Sequence, residues 1–126
     1  MEEIVNFEDW EKLEFRVAQV KQVEEIEGAD KLWKLTLDVG EEIGERIVCA
    51  GIKKHYSKEE LEGKKLIVFV NLAPRKMRGV ESQGMILAAV SEEDSAHPPT
   101  QKDEAPKEKV VFLSPEKDIE VGSRVR

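Results

Sequence analysis

Leu66-Ile-Val-Phe-Val-Asn-Leu-Ala-Pro-Arg-Lys-Met-Arg-Gly-Val-Glu-Ser-Gln-Gly-Met-Ile-Leu-Ala-Ala-Val90 is the stretch around which the rest of the chain can be ordered. Two apolar runs of strand length, Leu66–Leu72 and Met85–Val90, enclose a loop bounded by Pro74 and Gly79. Short apolar runs set off by turn residues read as buried strands. Pro74 fixes the backbone at the loop entrance and Gly79 permits a tight turn at its end. The loop carries Arg75, Lys76 and Arg78, whereas the chain of 126 residues has a formal net charge of -7. Cations gathered in one loop of an acidic protein point to a single anionic contact.

Upstream, three more strands are legible. Trp33, Leu35, Leu37 and Val39 alternate with Lys34, Thr36 and Asp38, the period-two pattern of a half-buried strand. Trp33 belongs to the buried set. Arg16–Val23 is rich in Val but alternates imperfectly, and Arg46–Ala50 follows a turn bracketed by Gly40 and Gly44. Ser57 and Glu60 form a capping box ahead of Gly63, giving one or two turns of helix. A further short helix is expected over Glu8–Leu13 with Asn6 as its cap; it is too short to stand alone and must dock. Three strands, a short helix and two more strands make an all-β chain of the five-stranded OB-fold barrel type, a fold that commonly binds nucleic acid on its strand face and loops.

Three regions are expected: 1-90 as the OB-fold core with its N-terminal helix, 91-108 as a linker or insert, and 109-126 as a C-terminal β extension. The middle region holds three prolines and six acids against two lysines, which reads as exposed chain. In the tail, Val110–Leu113 and Ser123–Arg126 read as two short strands that pair with the barrel or with another subunit.

Composition excludes more than it selects. Cys49 alone cannot form an internal disulfide, which favours a reducing, cytoplasmic setting and a buried, inert thiol. The opening residues are acidic where a signal peptide would be basic, and no apolar run approaches the ~20 residues a membrane helix needs. His55 and His97 stand apart, no Cys/His cluster has metal spacing, and neither a nucleophile elbow nor a phosphate-cradling glycine loop occurs. Neither an enzyme nor a cofactor is expected.

Binding chemistry is better represented. Arg75, Lys76 and Arg78 can neutralise phosphates; Asn71, Ser82 and Gln83 offer donors and acceptors for base edges or ribose; Met85 offers a soft apolar surface to an unstacked base. Lys31 and Lys34 on the neighbouring strand extend the positive surface. Each has a bland counterpart: a basic loop is usually solvated, and a methionine at a strand start is usually core.

The wording Asn71-Leu-Ala-Pro-Arg-Lys-Met-Arg-Gly-Val-Glu-Ser-Gln-Gly-Met85 resembles the signature of the tRNA-binding OB domain. That domain is found in methionyl-tRNA synthetases, their beta-subunit-like proteins, EMAP-II-like proteins and stand-alone tRNA-binding proteins. Phe15-Arg-Val17, Ala29-Asp-Lys-Leu32, Leu37-Asp-Val-Gly40, Ile47-Val-Cys-Ala-Gly-Ile52 and Gly122-Ser-Arg-Val125 agree in order. The resemblance implies structure-guided tRNA binding that assists a synthetase, with Asn71, Lys76, Arg78, Ser82 and Met85 facing RNA and Arg16, Lys31 and Gln83 at matching positions. It also implies a homodimer built with the N-terminal helix and the C-terminal extension. Two features depart from the pattern: Ile26-Glu27-Gly28 stands where relatives often carry His-Pro, and the acidic insert is long. The rival reading is a CsaA-type homodimeric chaperone, which shares the fold and would hold polypeptide in an apolar groove.

Overall fold

A computed structural model describes residues 3–92 and 108–126. The chain opens with a single helical turn, α1 (Phe7–Glu11), at whose N-terminus the backbone carbonyl of Asn6 accepts from the amides of Asp9 and Trp10. Asn6 occupies the cap position, but its side chain makes no capping bond. The turn is held instead by packing: the Trp10 ring lies 5.6 Å from Phe15, which lies 5.1 Å from Phe69.

Next come β1 (Phe15–Ile26), β2 (Ala29–Asp38), α2 (Gly40–Ile43), β3 (Glu45–Ala50), α3 (Lys58–Leu61) and β4 (Lys65–Phe69). They are followed by β5 (Arg75–Met77), β6 (Val80–Ser82), β7 (Met85–Ile86), β8 (Ala88–Glu92), β9 (Glu108–Phe112) and β10 (Arg124–Val125). The main antiparallel sheet runs β3-β2-β1-β4-β7, with β10 also paired to β1. The imperfect alternation of β1 has a physical cause. Its register against β2 shifts between Val20 and Gln22, so Val20 and Val23, three residues apart, both reach the core.

The main core is gathered from β1, β2, β3, β4 and β7. Leu35, Leu37, Leu66, Val20, Val23, Val39, Val48 and Val68 are fully buried there, and α3 contributes Leu61. Each such side chain contributes about 1.5–3 kcal/mol by leaving water. The capping box of α3 is present in full: Ser57 Oγ accepts from the Glu60 amide, and Glu60 Oε1 accepts from the Ser57 amide. A second apolar cluster, Phe15, Val17 and Ile67 with Phe69, Leu87 and Val125, lies apart from this core.

The ladder does not close on itself. β3 and β7 are its two ends, and side chains span the gap between them. Ser82 Oγ accepts from the Cys49 amide at 2.9 Å, and Gln83 Oε1 accepts from the Ile47 amide at 2.9 Å. The Gln83 amide donates back to Ile47 O at 2.7 Å, and Arg46 donates to Val70 O at 3.1 Å. Gly84 makes this seam possible, since a Cβ there would stand 2.7 Å from Phe69 O. The architecture is all-β and OB-like, with an antiparallel sheet sewn rather than laddered shut.

Three segments differ from the sequence reading. The basic loop is itself a hairpin, β5–β6. The expected strand Met85–Val90 is broken at Leu87, whose amide donates to Ile67 O, and its second half pairs with β9. A turn of helix, α2, sits where only a bend between Gly40 and Gly44 was expected. Of the tail strands, β10 pairs with β1 of the main sheet, whereas β9 pairs with β8 in a separate two-stranded sheet. Of the 91-108 region, Ser91 and Glu92 end β8 and Glu108 starts β9; 93–107, with His97, lie outside the described residues.

Arg16 fastens the tail. Only 9% exposed, it donates to Glu14, to Glu42 Oε1 at 3.0 Å and to Gly122 O at 3.0 Å. Those hydrogen bonds to Glu42 and Glu14 raise its pKa further, so it is charged at every practical pH. Beneath it Gly122 lies against Gly40, where an added Cβ on Gly40 would come within 2.9 Å of the Gly122 Cα. Lys65 forms a second clasp, donating to Asp118 Oδ1 at 2.8 Å and Ile119 O at 2.6 Å.

Candidate functional site

The β5–β6 hairpin is built from three pairs, Arg75↔Ser82, Lys76↔Glu81 and Met77↔Val80, joined by Arg78 and Gly79. Arg78 has φ 52 and Gly79 φ 84. Two consecutive positive φ values are what a two-residue turn with the twist of the strands demands, and Asn-Gly is the usual occupant. An arginine in that conformation costs about 1 kcal/mol. The strain holds a guanidinium at the tip of the hairpin.

Cross-strand pairing sorts the other cations by face. Arg75 and Met77 share a face with Ser82 and Val80, and Met77 and Val80 pack against the Ile26, Ala29 and Cys49 cluster. Lys76 stands on the opposite face beside Glu81. Arg75, Lys76, Arg78 and Lys31 are exposed, with no ion-pair partner among the described residues. Lys34 is partly buried and 3.8 Å from Glu24, across from Cys49 in the β2–β3 ladder.

Between the hairpin's inner face and the barrel lies a cleft of about 250 Å³. Its walls come from 49–52 at the end of β3, from Leu72 and Ala73, from the hairpin, from Gly84, Met85, Ile86 and Ala88, and from Phe112 of β9. Met85, 46% exposed, lines it. Among the described residues Arg75 is its one charged wall residue, and no carboxylate lines it. Cys49 at its back is a protonated thiol, because burial pushes its pKa up.

The structure thus brings together Arg75, Ser82 and Met85 around the cleft, with Lys31 O about 4.0 Å from where a Cβ on Gly51 would stand in its wall. It sets others apart. Arg16 is committed to the tail clasp. Ser82 and Gln83 spend their oxygens on the seam. Asn71 Nδ2 donates to Lys12 O at 2.6 Å and its Oδ1 accepts from the Glu14 amide at 2.8 Å, anchoring the link between α1 and β1. The cleft walls Ala50, Gly51, Ala73 and Phe112 were missed in the sequence. Small residues at 50, 51 and 73 were a visible signal; Phe112 gave none, because only the β8–β9 pairing delivers it. Among the described residues no group of three or more His, Cys, Asp or Glu is placed to hold a metal ion. No helix there is long and apolar enough to cross a membrane.

Comparison with known proteins agrees with this layout. A family described as "Putative tRNA binding domain" matches residues 15–124. The chain is 46% identical over 121 residues, 96% of its length, to the methionine–tRNA ligase of Caldanaerobacter subterraneus subsp. tengcongensis. It spans only 16% of that relative, and 16% of a similar ligase from Methanococcus aeolicus. Among solved structures it is similar to a "MetRS related protein" from Pyrococcus horikoshii, with TM-score 0.80, 37% identity, and 99% of this chain and all of that one (100%) covered. It is also similar to the chaperone CsaA of Bacillus anthracis, with TM-score 0.78, 27% identity, and 98% and 100% covered.

Proposed function

This chain belongs to the tRNA-binding domain family, and on that premise we propose that it binds tRNA without catalysis and delivers it to an aminoacyl-tRNA synthetase, methionyl by kinship. The observation that carries the reading is the set Arg75, Lys76 and Arg78, exposed and unpaired among the described residues, on a strained hairpin beside an apolar cleft, in a chain of net charge -7. Cations on such a hairpin attract the phosphate backbone, and the cleft supplies contact that charge alone does not. Raising the local concentration of tRNA around a synthetase needs no chemistry of its own. No metal or cofactor enters this scheme, and the cytoplasm is where it would operate.

The proposal includes a homodimer. Ile4, Val5, Phe7, Trp10 and Leu13 near the N-terminus and Leu113 and Ile119 in the tail are exposed apolar residues, at 38–90%. Covering them with a second copy would remove these apolar side chains from water.

Filter-binding of bulk tRNA at several salt concentrations tests the reading. Affinity should fall as salt rises with a slope of a few phosphates, and Lys76→Ala with Arg78→Ala should weaken it. No binding at low salt refutes it. Light scattering that returns a clean 14.3 kDa monomer refutes the dimer. The likeness to CsaA favours a second reading, polypeptide held in the apolar cleft; preference for unfolded protein over tRNA in the same assay would select it.

A further inference from the structure

The cleft has a chemistry narrower than "RNA surface", and the inference drawn from it rests on the tRNA-binding reading. Its walls are mostly apolar, Arg75 is the charged residue among them, and two methionine side chains, Met77 and Met85, line it. Ser82, the other polar side chain there, already accepts from the Cys49 amide and donates to Gly84 O. Among the described residues no other charged or strongly hydrogen-bonding side chain than the Arg75 guanidinium is therefore left to address a ligand. At about 250 Å³ the space lies just below the roughly 300–1,000 Å³ of clefts that take drug-sized ligands, so it has room for one planar ring system. Thioether sulfur packs favourably on aromatic rings, and a guanidinium at the rim matches the phosphate attached to such a ring.

We propose that the cleft receives one unstacked RNA base at a time, with Arg75 on its phosphate, and does not distinguish which base enters. A flat aromatic body carrying an anionic tether fits apolar walls with a single cation at the edge. Without a free side-chain donor or acceptor to read a Watson–Crick edge, the site senses that a base is unpaired, and every base offers the same flat face. In a folded tRNA such bases occur in the loops and at the 3′ end, so the cleft adds preference for those regions to the general attraction of Lys76 and Arg78.

The test is displacement of labelled bulk tRNA by short RNA homopolymers and by an RNA duplex of equal length. Single strands of A, U and C should displace tRNA alike, and the duplex at least tenfold less well, although its higher charge density favours it electrostatically. Equal competition by the duplex overturns the proposal. In a second arm, Ala73→Leu narrows the cleft from an exposed position and Met85→Ala strips one wall. Each should weaken single-strand binding about tenfold, the scale of one lost base contact, while leaving the salt slope unchanged. Wild-type affinity in both variants overturns the proposal, as does an apolar peptide that displaces tRNA from the wild type but not from Ala73→Leu. Wild-type protein that binds no tRNA refutes the earlier reading instead; direct titration of the single strands still decides the cleft.

Discussion

Replacing Ser82 by alanine separates a residue that touches RNA from one that holds the barrel together. Ser82 is 5% exposed, and its hydroxyl is the acceptor for the Cys49 amide at 2.9 Å. Removing the oxygen leaves a buried backbone N–H without a partner, a loss of about 1–3 kcal/mol. With an unfolding entropy near 2.1 cal/mol/K per residue over 126 residues, each kcal/mol lowers Tm by about 4 °C. Ser82→Ala should therefore melt about 4–12 °C below wild type at equal protein concentration, which must be fixed because self-association shifts Tm. Hydrogen exchange should locate the loss at the amides of Cys49 and Ile47. Gln83→Ala should show a smaller version, since the Ile47 amide is only partly buried, and the double variant should be non-additive because both side chains close one seam. Calorimetry and tRNA titration of the same samples decide the matter. A Ser82→Ala protein that melts with the wild type yet binds tRNA tenfold more weakly would refute this reasoning and put the hydroxyl on the RNA.

Arg78→Asn installs the turn pair that positive φ prefers, so Tm should hold or rise slightly, while the slope of log affinity against log salt falls by about one phosphate. Arg16→Met leaves Glu14 and Gly122 O without their donor and should cost about 2 kcal/mol, with exchange of the 122–125 amides accelerating most. The Lys65 ammonium holds the Asp118 carboxyl below its ordinary 3.8. A lowered folded pKa means the clasp stabilises above 3.8 and is lost as pH falls through the lower folded value. The Tm difference between wild type and Asp118→Asn should thus be constant at neutral pH and vanish in strong acid.

Alternation was enough for β2, a continuous apolar run for β4 and hydrogen-bonding logic for the capping box of α3, because each depends on neighbours within a few residues. The irregular Val pattern of β1 could not be phased, since the bulge at Val20–Gln22 is fixed by β2 and not by β1 itself. Arg78-Gly79 does not read as a hairpin turn, because arginine carries no intrinsic preference for positive φ. Polar residues were the hardest case. A serine or glutamine poised for RNA and one poised for a backbone amide have the same letter, and only the proximity of β3 separates them. The small walls of the cleft were visible as composition but had no partner until Phe112 was brought across from β9.

The clasp at Arg16 also constrains the order in which this domain can be made. Arg16 and Gly122 are 106 residues apart, and β1 gains its β10 partner only after every other described strand has been synthesised. Until then the outer edge of the first strand, with Phe15 and Val17, waits uncovered. Closing a loop of that length carries an entropic cost that local contacts cannot offset in advance, so docking of the tail belongs among the late steps of folding. A ribosome pausing before residue 122 would hold a nascent chain whose barrel interior can form while its second apolar cluster stays open. That interval is when the chain is most exposed to aggregation and most in need of a chaperone.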